Sequence, residues 1–324
     1  MAKVTASVIV PAFNAEKTIG KCLESLEKQG FRGYEIIVVD DGSRDSTLEI
    51  IGRHGRARLL KQSHAGPAVA RNNGAKNAKG EIVVFTDSDC VAESTWLEEM
   101  LKPFADKRVA GVQGRYKCGQ KELVARLIHL EIEQRYEKME KQEFVDFIGS
   151  YSAAYRASVF EELKGFDTSF PMASGEDTDF SFRVHKAGHK MVFNPNAIVW
   201  HTHPTKLWKY LKVKFFRAFW RTKVYKSHKG KILKDSYTSQ TIKLQLLLFY
   251  LAMASLALLA FGINGLLYSG TLLALLFISG LPFAFWAARR DLAVGIVSPF
   301  VIVVRTFFFG TGLALGTIKQ VFGR

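Results

Sequence analysis

The sequence is poor in the residues that would make it a secreted or metal-knotted domain. Its three cysteines, Cys22, Cys90 and Cys118, are far apart and odd in number. They supply neither a disulfide framework nor a zinc ligand spacing, so a reducing compartment is expected. No G-x-G-x-x-G follows the first strand-like run and no G-x-x-x-x-G-K occurs, so neither a dinucleotide fold nor a P-loop is supported. No long apolar signal core opens the chain; Met1 to Thr5 lead straight into a strand pattern, and the N-terminal domain is expected to stay in the cytosol. Acids are missing between Lys206 and Lys234, and charge of either sign is missing from Leu244 to Ala288.

Those two gaps organise the C-terminal third. A hydrocarbon core takes about 20 apolar helical residues, so 244–288 holds two crossings with a turn near Gly262-Ile263-Asn264-Gly265. The acid-free stretch carries Lys206, Lys209, Lys212, Lys214, Arg217, Arg221, Lys223, Lys226, Lys229, Lys231 and Lys234 in a chain of net charge +15. Such a run suits nucleic acid or a membrane surface. At helical spacing Leu207, Trp208, Leu211, Phe215, Ala218, Phe219 and Thr222 share one side, the pattern of an interface helix gripping anionic lipids, so nucleic acid is set aside. The basic flank also predicts a cytosolic start for the first span. Spans are expected at about 244–263 and 266–288. The segment 292–318 is long enough to cross but carries Arg305, so a third crossing and a re-entrant or interfacial segment both remain open.

The N-terminal two thirds alternate strand and helix patterns. Strands are expected at Ala6 to Pro11, Tyr34 to Asp40, Arg58 to Lys61 and Glu81 to Thr86, with helices between them, the first capped by Asn14. This β-α-β-α-β-α-β order argues for a mainly parallel sheet. Further on, helices are expected near Ser94 to Ala105, over Lys121 to Gln142 and from Ser174 to Gly188, with strands at Val109 to Tyr116 and Phe147 to Tyr155. The first four strands end in Pro11-Ala12-Phe13-Asn14, Asp40-Asp41, Gln62-Ser63-His64 and Asp87-Ser88-Asp89, which suggests one crevice at the carboxyl edge. Asp87 and Asp89 are hard ligands able to hold Mg²⁺ or Mn²⁺ against a diphosphate; a polar strand end opening a loop is the plainer alternative. An EF-hand starting at Asp87 fails because Val91 and Ala92 fall on its ligand and glycine positions.

Taken in order, Pro11-Ala12-Phe13-Asn14, Asp40-Asp41-Gly42-Ser43, Ala70-Arg71-Asn72, Asp87-Ser88-Asp89 and Gly175-Glu176-Asp177 resemble the inverting glycosyltransferases of family 2. The resemblance covers about the first 200 residues and implies the following. The fold it implies is α/β, a GT-A nucleotide-sugar-binding domain over 1–204; the charge pattern, not the resemblance, adds a basic amphipathic connector over 205–242 and a membrane domain over 243–324. Pro11, Ala12, Asn14, Asp41, Arg71, Asp87 and Ser88 face the nucleotide, Asp89 ligates Mg²⁺ or Mn²⁺, and Asp177 is the general base. His201, at the end of the last strand candidate, is the candidate second metal ligand, with His203 a weaker choice and a hydrogen-bonded strand-end histidine the alternative. Glu176 either positions the acceptor or caps its helix, and Asp179 with Arg183 reads as a surface ion pair. Phe215-Phe216-Arg217-Ala218-Phe219-Trp220 lacks the Gln of the processive synthases' Q-x-x-R-W pattern; Arg217 and Trp220 stay as further candidates.

The expected activity is transfer of a sugar from a nucleotide sugar, UDP favoured over GDP, to a lipid or lipid-linked acceptor at the cytosolic leaflet. A polyprenyl-phosphate sugar synthase is the near alternative and a non-catalytic nucleotide-sensing membrane scaffold the distant one.

Overall fold

The computed structural model describes residues 4–231, 240–261 and 264–322, in two compact units. One unit takes the chain up to Gly119 and Gln134–Thr202; the other takes Gln120–Glu133 and everything from His203. The connector between 232 and 239 and the Gly262-Ile263 part of the expected turn lie outside the described residues.

In the first unit, β1 (Ala6–Ala12), β2 (Tyr34–Asp40), β3 (Ala57–Lys61) and β4 (Ile82–Thr86) alternate with α1 (Ile19–Glu27), α2 (Thr47–Gly52) and α3 (Pro67–Lys76). The apolar runs Val8–Val10, Ile36–Val39 and Ile82–Phe85 are buried on both faces, as parallel strands covered by helices require. Then follow β5 (Cys90–Ala92), α4 (Trp96–Leu101), β6 (Val109–Lys117), the end of α5 (Leu123–Met139, which belongs to the second unit up to Glu133), β7 (Ser152–Arg156), α6 (Ala157–Glu162), α7 (Glu176–Lys186) and β8 (Lys190–His201). The sheet order is β3-β2-β1-β4-β7-β6-β8-β5. The expected parallel half is present, but β7 runs antiparallel to β4 and β6, and β5 antiparallel to β8, so the sheet is mixed.

Three local expectations need correction. Asn14 does not cap α1, whose N-cap is Thr18; it turns a corner at φ 48°, a conformation asparagine tolerates, and its Oδ1 accepts from the Arg44 N–H at 2.9 Å. The strand read from Phe147 begins only at Ser152, because the preceding backbone is held by side chains: Ser181 Oγ accepts from Ile148 N–H at 2.9 Å and donates to its carbonyl at 3.2 Å. The Asp179–Arg183 pair exists at 2.8 Å but is largely buried, and Arg183 also donates to the carbonyls of Leu163 and Gly165, clasping the turn before α7.

In the second unit, α8 (Leu207–Ser227) precedes α9 (Gln240–Leu256), α10 (Gly265–Ser279), α11 (Leu281–Ala288) and α12 (Leu292–Phe322). Three stretches, Gln240–Phe261, Gly265–Ala288 and Leu292–Phe322, are long and apolar enough to cross a membrane. The apolar side of α8 is partly covered by its own unit: Tyr210, Leu211, Ala218 and Thr222 are buried.

Candidate active site

The site is built at the carboxyl edge of the sheet, where the β1, β2 and β4 ends lie side by side in register. Asp87 follows β4 directly. Its Oδ1 accepts from Arg71 Nη2 at 2.8 Å, while Arg71 Nη1 donates to Glu176 Oε1 at 3.0 Å. Arg71 is only 2% exposed and Glu176 1%, so α3 joins two strongly separated segments through one buried guanidinium. Glu176 Oε2 also accepts from the N–H groups of Ser174 and Gly175 at 2.9 and 3.1 Å, a carboxylate at its own helix start. Gly175, at φ 145°, makes that bend in a region where side chains are strained. Burial, and next the nearby Asp177 charge, push the Glu176 carboxyl up to about 7 against the opposing pull of Arg71.

Asp177, the next residue, is half-buried, and its Oδ1 accepts from the Thr178 N–H at 2.7 Å. Helix α7 is fixed beneath it by Phe180, which packs edge-on to Tyr155 and Phe166 at ring separations of 4.9 and 5.2 Å. A short element that its length hid in the sequence brings the last participant in: β5 pairs with the end of β8, setting Cys90 opposite His201. Asp89 Oδ2 and His201 Nε2 consequently stand 3.4 Å apart. Burial works to raise the Asp89 carboxyl, but His201, the Asp89 backbone N–H and the Cys90 thiol together hold it below the ordinary value. His201 is in turn flanked by Tyr116 at 4.5 Å between rings, and Tyr116 stacks on Tyr151 at 3.6 Å. That aromatic ladder escaped the sequence reading, since its rungs come from β6, β8 and the loop before β7.

Asp89 and His201 offer one hard oxygen and one imidazole nitrogen. Among the described residues no group of three or more His, Cys, Asp or Glu side chains gathers to hold an ion alone. This donor set fits Mg²⁺ or Mn²⁺ that keeps some waters and takes further oxygens from a diphosphate.

The other strand ends make a second cluster. Asp41 is buried, its Oδ1 accepting from Gln62 Nε2 at 2.7 Å and Ala65 N–H at 2.9 Å, its Oδ2 from Gly66 N–H at 2.9 Å. His64 approaches the same Oδ2 at 2.9 Å and stacks on the half-exposed Phe13 at 4.1 Å. Pro11 and Ala12 lie at the end of β1, Asn14 is exposed beyond it, and Ser88 is half-buried between the two acids. His203 belongs to the other unit, where it is buried and its backbone pairs with the Gln120 side chain. Arg217 is exposed on α8, and Trp220 lies under Lys319 at 5.1 Å. The structure thus gathers Arg71, Asp87, Glu176 and Asp177, sets Asp89 against His201, and keeps His203, Arg217 and Trp220 in the second unit.

Comparison with known proteins gives a consistent picture. The family described as "Glycosyl transferase family 2" matches residues 7–164. The pre-mycofactocin glycosyltransferase of Mycobacterium tuberculosis is 33% identical over 220 residues, covering 65% of this chain and 45% of that protein. Glycosyltransferase GlyA of Streptococcus pneumoniae is 30% identical over 204 residues, 58% of this chain and 29% of that protein. The chain therefore spans less than half the length of these two curated relatives. In fold it is similar to the mannosyltransferase PcManGT of Pyrobaculum calidifontis, solved with GDP-Man and Mn²⁺, with a TM-score of 0.66 at 19% identity over 99% of this chain and 88% of that one. Staphylococcus aureus TarS 1-349 gives a TM-score of 0.52 at 20% identity, covering 99% of this chain and 92% of that one.

Proposed function

From the premise that this chain carries a glycosyltransferase family 2 domain, we propose that it is a membrane-anchored, inverting glycosyltransferase using Mg²⁺ or Mn²⁺. It moves a sugar from a nucleoside-diphosphate sugar to a lipid or lipid-linked acceptor at the cytosolic leaflet. The observation that carries this reading is the D-x-D loop itself: Asp87 tied to Arg71, and Asp89 set against His201 at the same sheet edge. The GDP-Man and Mn²⁺ bound by the similar Pyrobaculum enzyme support a nucleotide-sugar donor with a divalent cation. Three apolar helical stretches support the membrane anchor, and the basic stretch before them supports a cytosolic catalytic side.

Departure of a nucleoside diphosphate develops negative charge on its oxygens, which a bound divalent cation stabilises. Asp89 and His201 hold that position. Arg71, already answered by two carboxylates, keeps Asp87 and Glu176 in place, and Asp87 is left with one oxygen for the sugar or ribose. Asp177 accepts the proton of the attacking hydroxyl. At the other end of the edge, Phe13 and His64 offer ring faces for a base above the buried Asp41.

The deciding experiment is a panel of UDP- and GDP-sugars with Mg²⁺ or Mn²⁺ and a lipid-extract acceptor, read as released nucleoside diphosphate and glycosylated lipid. Transfer from at least one donor is expected. Absence of turnover across the panel defeats the proposal, and binding without turnover favours the nucleotide-sensing scaffold.

A further inference from the structure

The membrane unit poses a contradiction between composition and contact. By length α12 qualifies as a span. Its C-terminal half, however, runs alongside α8, the helix with a lysine or arginine at nearly every turn. Gly312 packs against the backbone of Phe215 and Gly316 against that of Phe219; a Cβ at either glycine would stand 2.4 Å from the carbonyl oxygen. Both contacts advance by four residues in the same direction, so the helices are parallel, and further along Lys226 Nζ donates to the Gln320 carbonyl at 3.1 Å. Lys319 covers the rings of Phe219 and Trp220 at 5.6 and 5.1 Å.

Charge also meets α12 at its middle and its start. Arg305 donates to Glu131 and, at 2.8 Å, to Gln245 Oε1; Glu131 also accepts from Lys214 Nζ at 2.8 Å and Tyr210 Oη at 2.9 Å. Arg126 pairs with Asp291 at 2.8 Å. Helix α9 touches α12 from its second turn to its middle, at Gln245 and at Tyr250, whose hydroxyl donates to the Gly310 carbonyl at 2.8 Å. Away from α8, Leu292, Ile296, Phe300, Val304, Leu315 and Ile318 form an exposed apolar stripe along α12.

A helix as basic as α8 cannot traverse hydrocarbon, and α12 cannot leave it without opening the glycine contacts. We propose that α8 and α12 form one interfacial pair on an anionic leaflet, basic residues at the phosphates and the α12 stripe in the acyl boundary. Only Gln240–Phe261 and Gly265–Ala288 cross, and Lys319 remains on the side of the bilayer that holds α8. This rests on reading those two stretches as spans.

The test is cysteine labelling of the full chain, with Cys118 replaced by serine and the buried Cys22 and Cys90 kept as the unreactive background, using a membrane-impermeant maleimide in sealed vesicles of one orientation. Ser227→Cys reports α8 and Tyr268→Cys the far end of the hairpin. With those two on opposite sides, Lys319→Cys reacting from the Ser227 side is the expected result; reaction from the Tyr268 side overturns the inference. A Lys319→Cys protein silent from both sides, or unfolded, is replaced by a peptide tag after Arg324, read by antibody with the same two outcomes. Ser227→Cys and Tyr268→Cys reacting from one side removes the spans and the inference together. For the lipid, phosphatidylglycerol nanodiscs should raise the melting temperature by several degrees over phosphatidylcholine nanodiscs, and Lys209→Gln with Lys212→Gln and Arg217→Gln should halve that gain. Equal melting temperatures in both lipids overturn the anionic part.

Discussion

Arg71 and Glu176, 105 positions apart in the chain, meet at 3.0 Å with neither side chain more than 3% exposed. The same guanidinium holds Asp87, so the first turn of α7 and the D-x-D loop share one cation. Removing it strands buried carboxylate. Arg71→Met is expected to destabilise the first unit by about 3–5 kcal/mol, the usual cost of breaking a buried pair from one side. Arg71→Met with Glu176→Gln should recover part of that loss, and chemical unfolding of the four proteins in the cycle measures the coupling.

The raised Glu176 carboxyl gives that pair a pH signature. Its folded value of about 7 lies above the ordinary 4.5, so between those pH values the folded protein keeps a proton that the unfolded chain releases. Its stabilising contribution is therefore full below about pH 4.5, falls as the pH rises to about 7, and then levels off, a change of about 3 kcal/mol. Unfolding free energies of wild type minus Glu176→Gln, taken across about pH 4.5 to 8, should decline over that window; a flat difference refutes the assignment.

Asp89→Asn should weaken Mn²⁺ binding in the presence of nucleoside diphosphate more than His201→Ala does. The carboxylate brings charge to a hard cation, whereas the imidazole brings only a neutral donor. Titration calorimetry reads this without turnover. Equal affinity in wild type and Asp89→Asn would remove Asp89 from the ligand set.

For Asp177→Asn the expected result is a roughly 10²–10⁴-fold lower turnover with unchanged nucleotide-sugar binding, the size of a general-base contribution. An acceptor that is already an anion, such as a polyprenyl phosphate, needs no base. Turnover close to wild type with such an acceptor would therefore move the enzyme to that class.

How much of this was legible depended on whether the cause was local. Tyr34 to Asp40 was read to the residue, since its β-branched run and the following Asp-Asp-Gly carry their own boundaries. β5 was not read, because three residues make a strand only when β8 arrives beside them. Phe147 to Tyr151 has strand composition, yet Ser181 and Gln113 take its backbone groups, and those partners lie more than thirty positions away. In the same way Asp87, Glu176 and Arg71 are all visible as motif residues, Arg71 as one facing the nucleotide, while its joining of the two acids is not.

In the second unit, Arg305 looked from the sequence like an isolated charge in an apolar helix, and the structure gives it Glu131 as a partner. Glu131 also serves Lys214 and Tyr210, so one buried carboxylate ties the N-terminal half of α5 to α8 and α12. Glu131→Gln leaves two cations facing a neutral amide in a low-dielectric setting, and a loss of about 3–5 kcal/mol is expected. Arg305→Met alone should cost less, because Lys214 still answers the carboxylate. Thermal unfolding of the detergent-solubilised protein ranks the two, and an Arg305→Met protein less stable than Glu131→Gln would mean that Arg305, rather than Glu131, is the hub of the network.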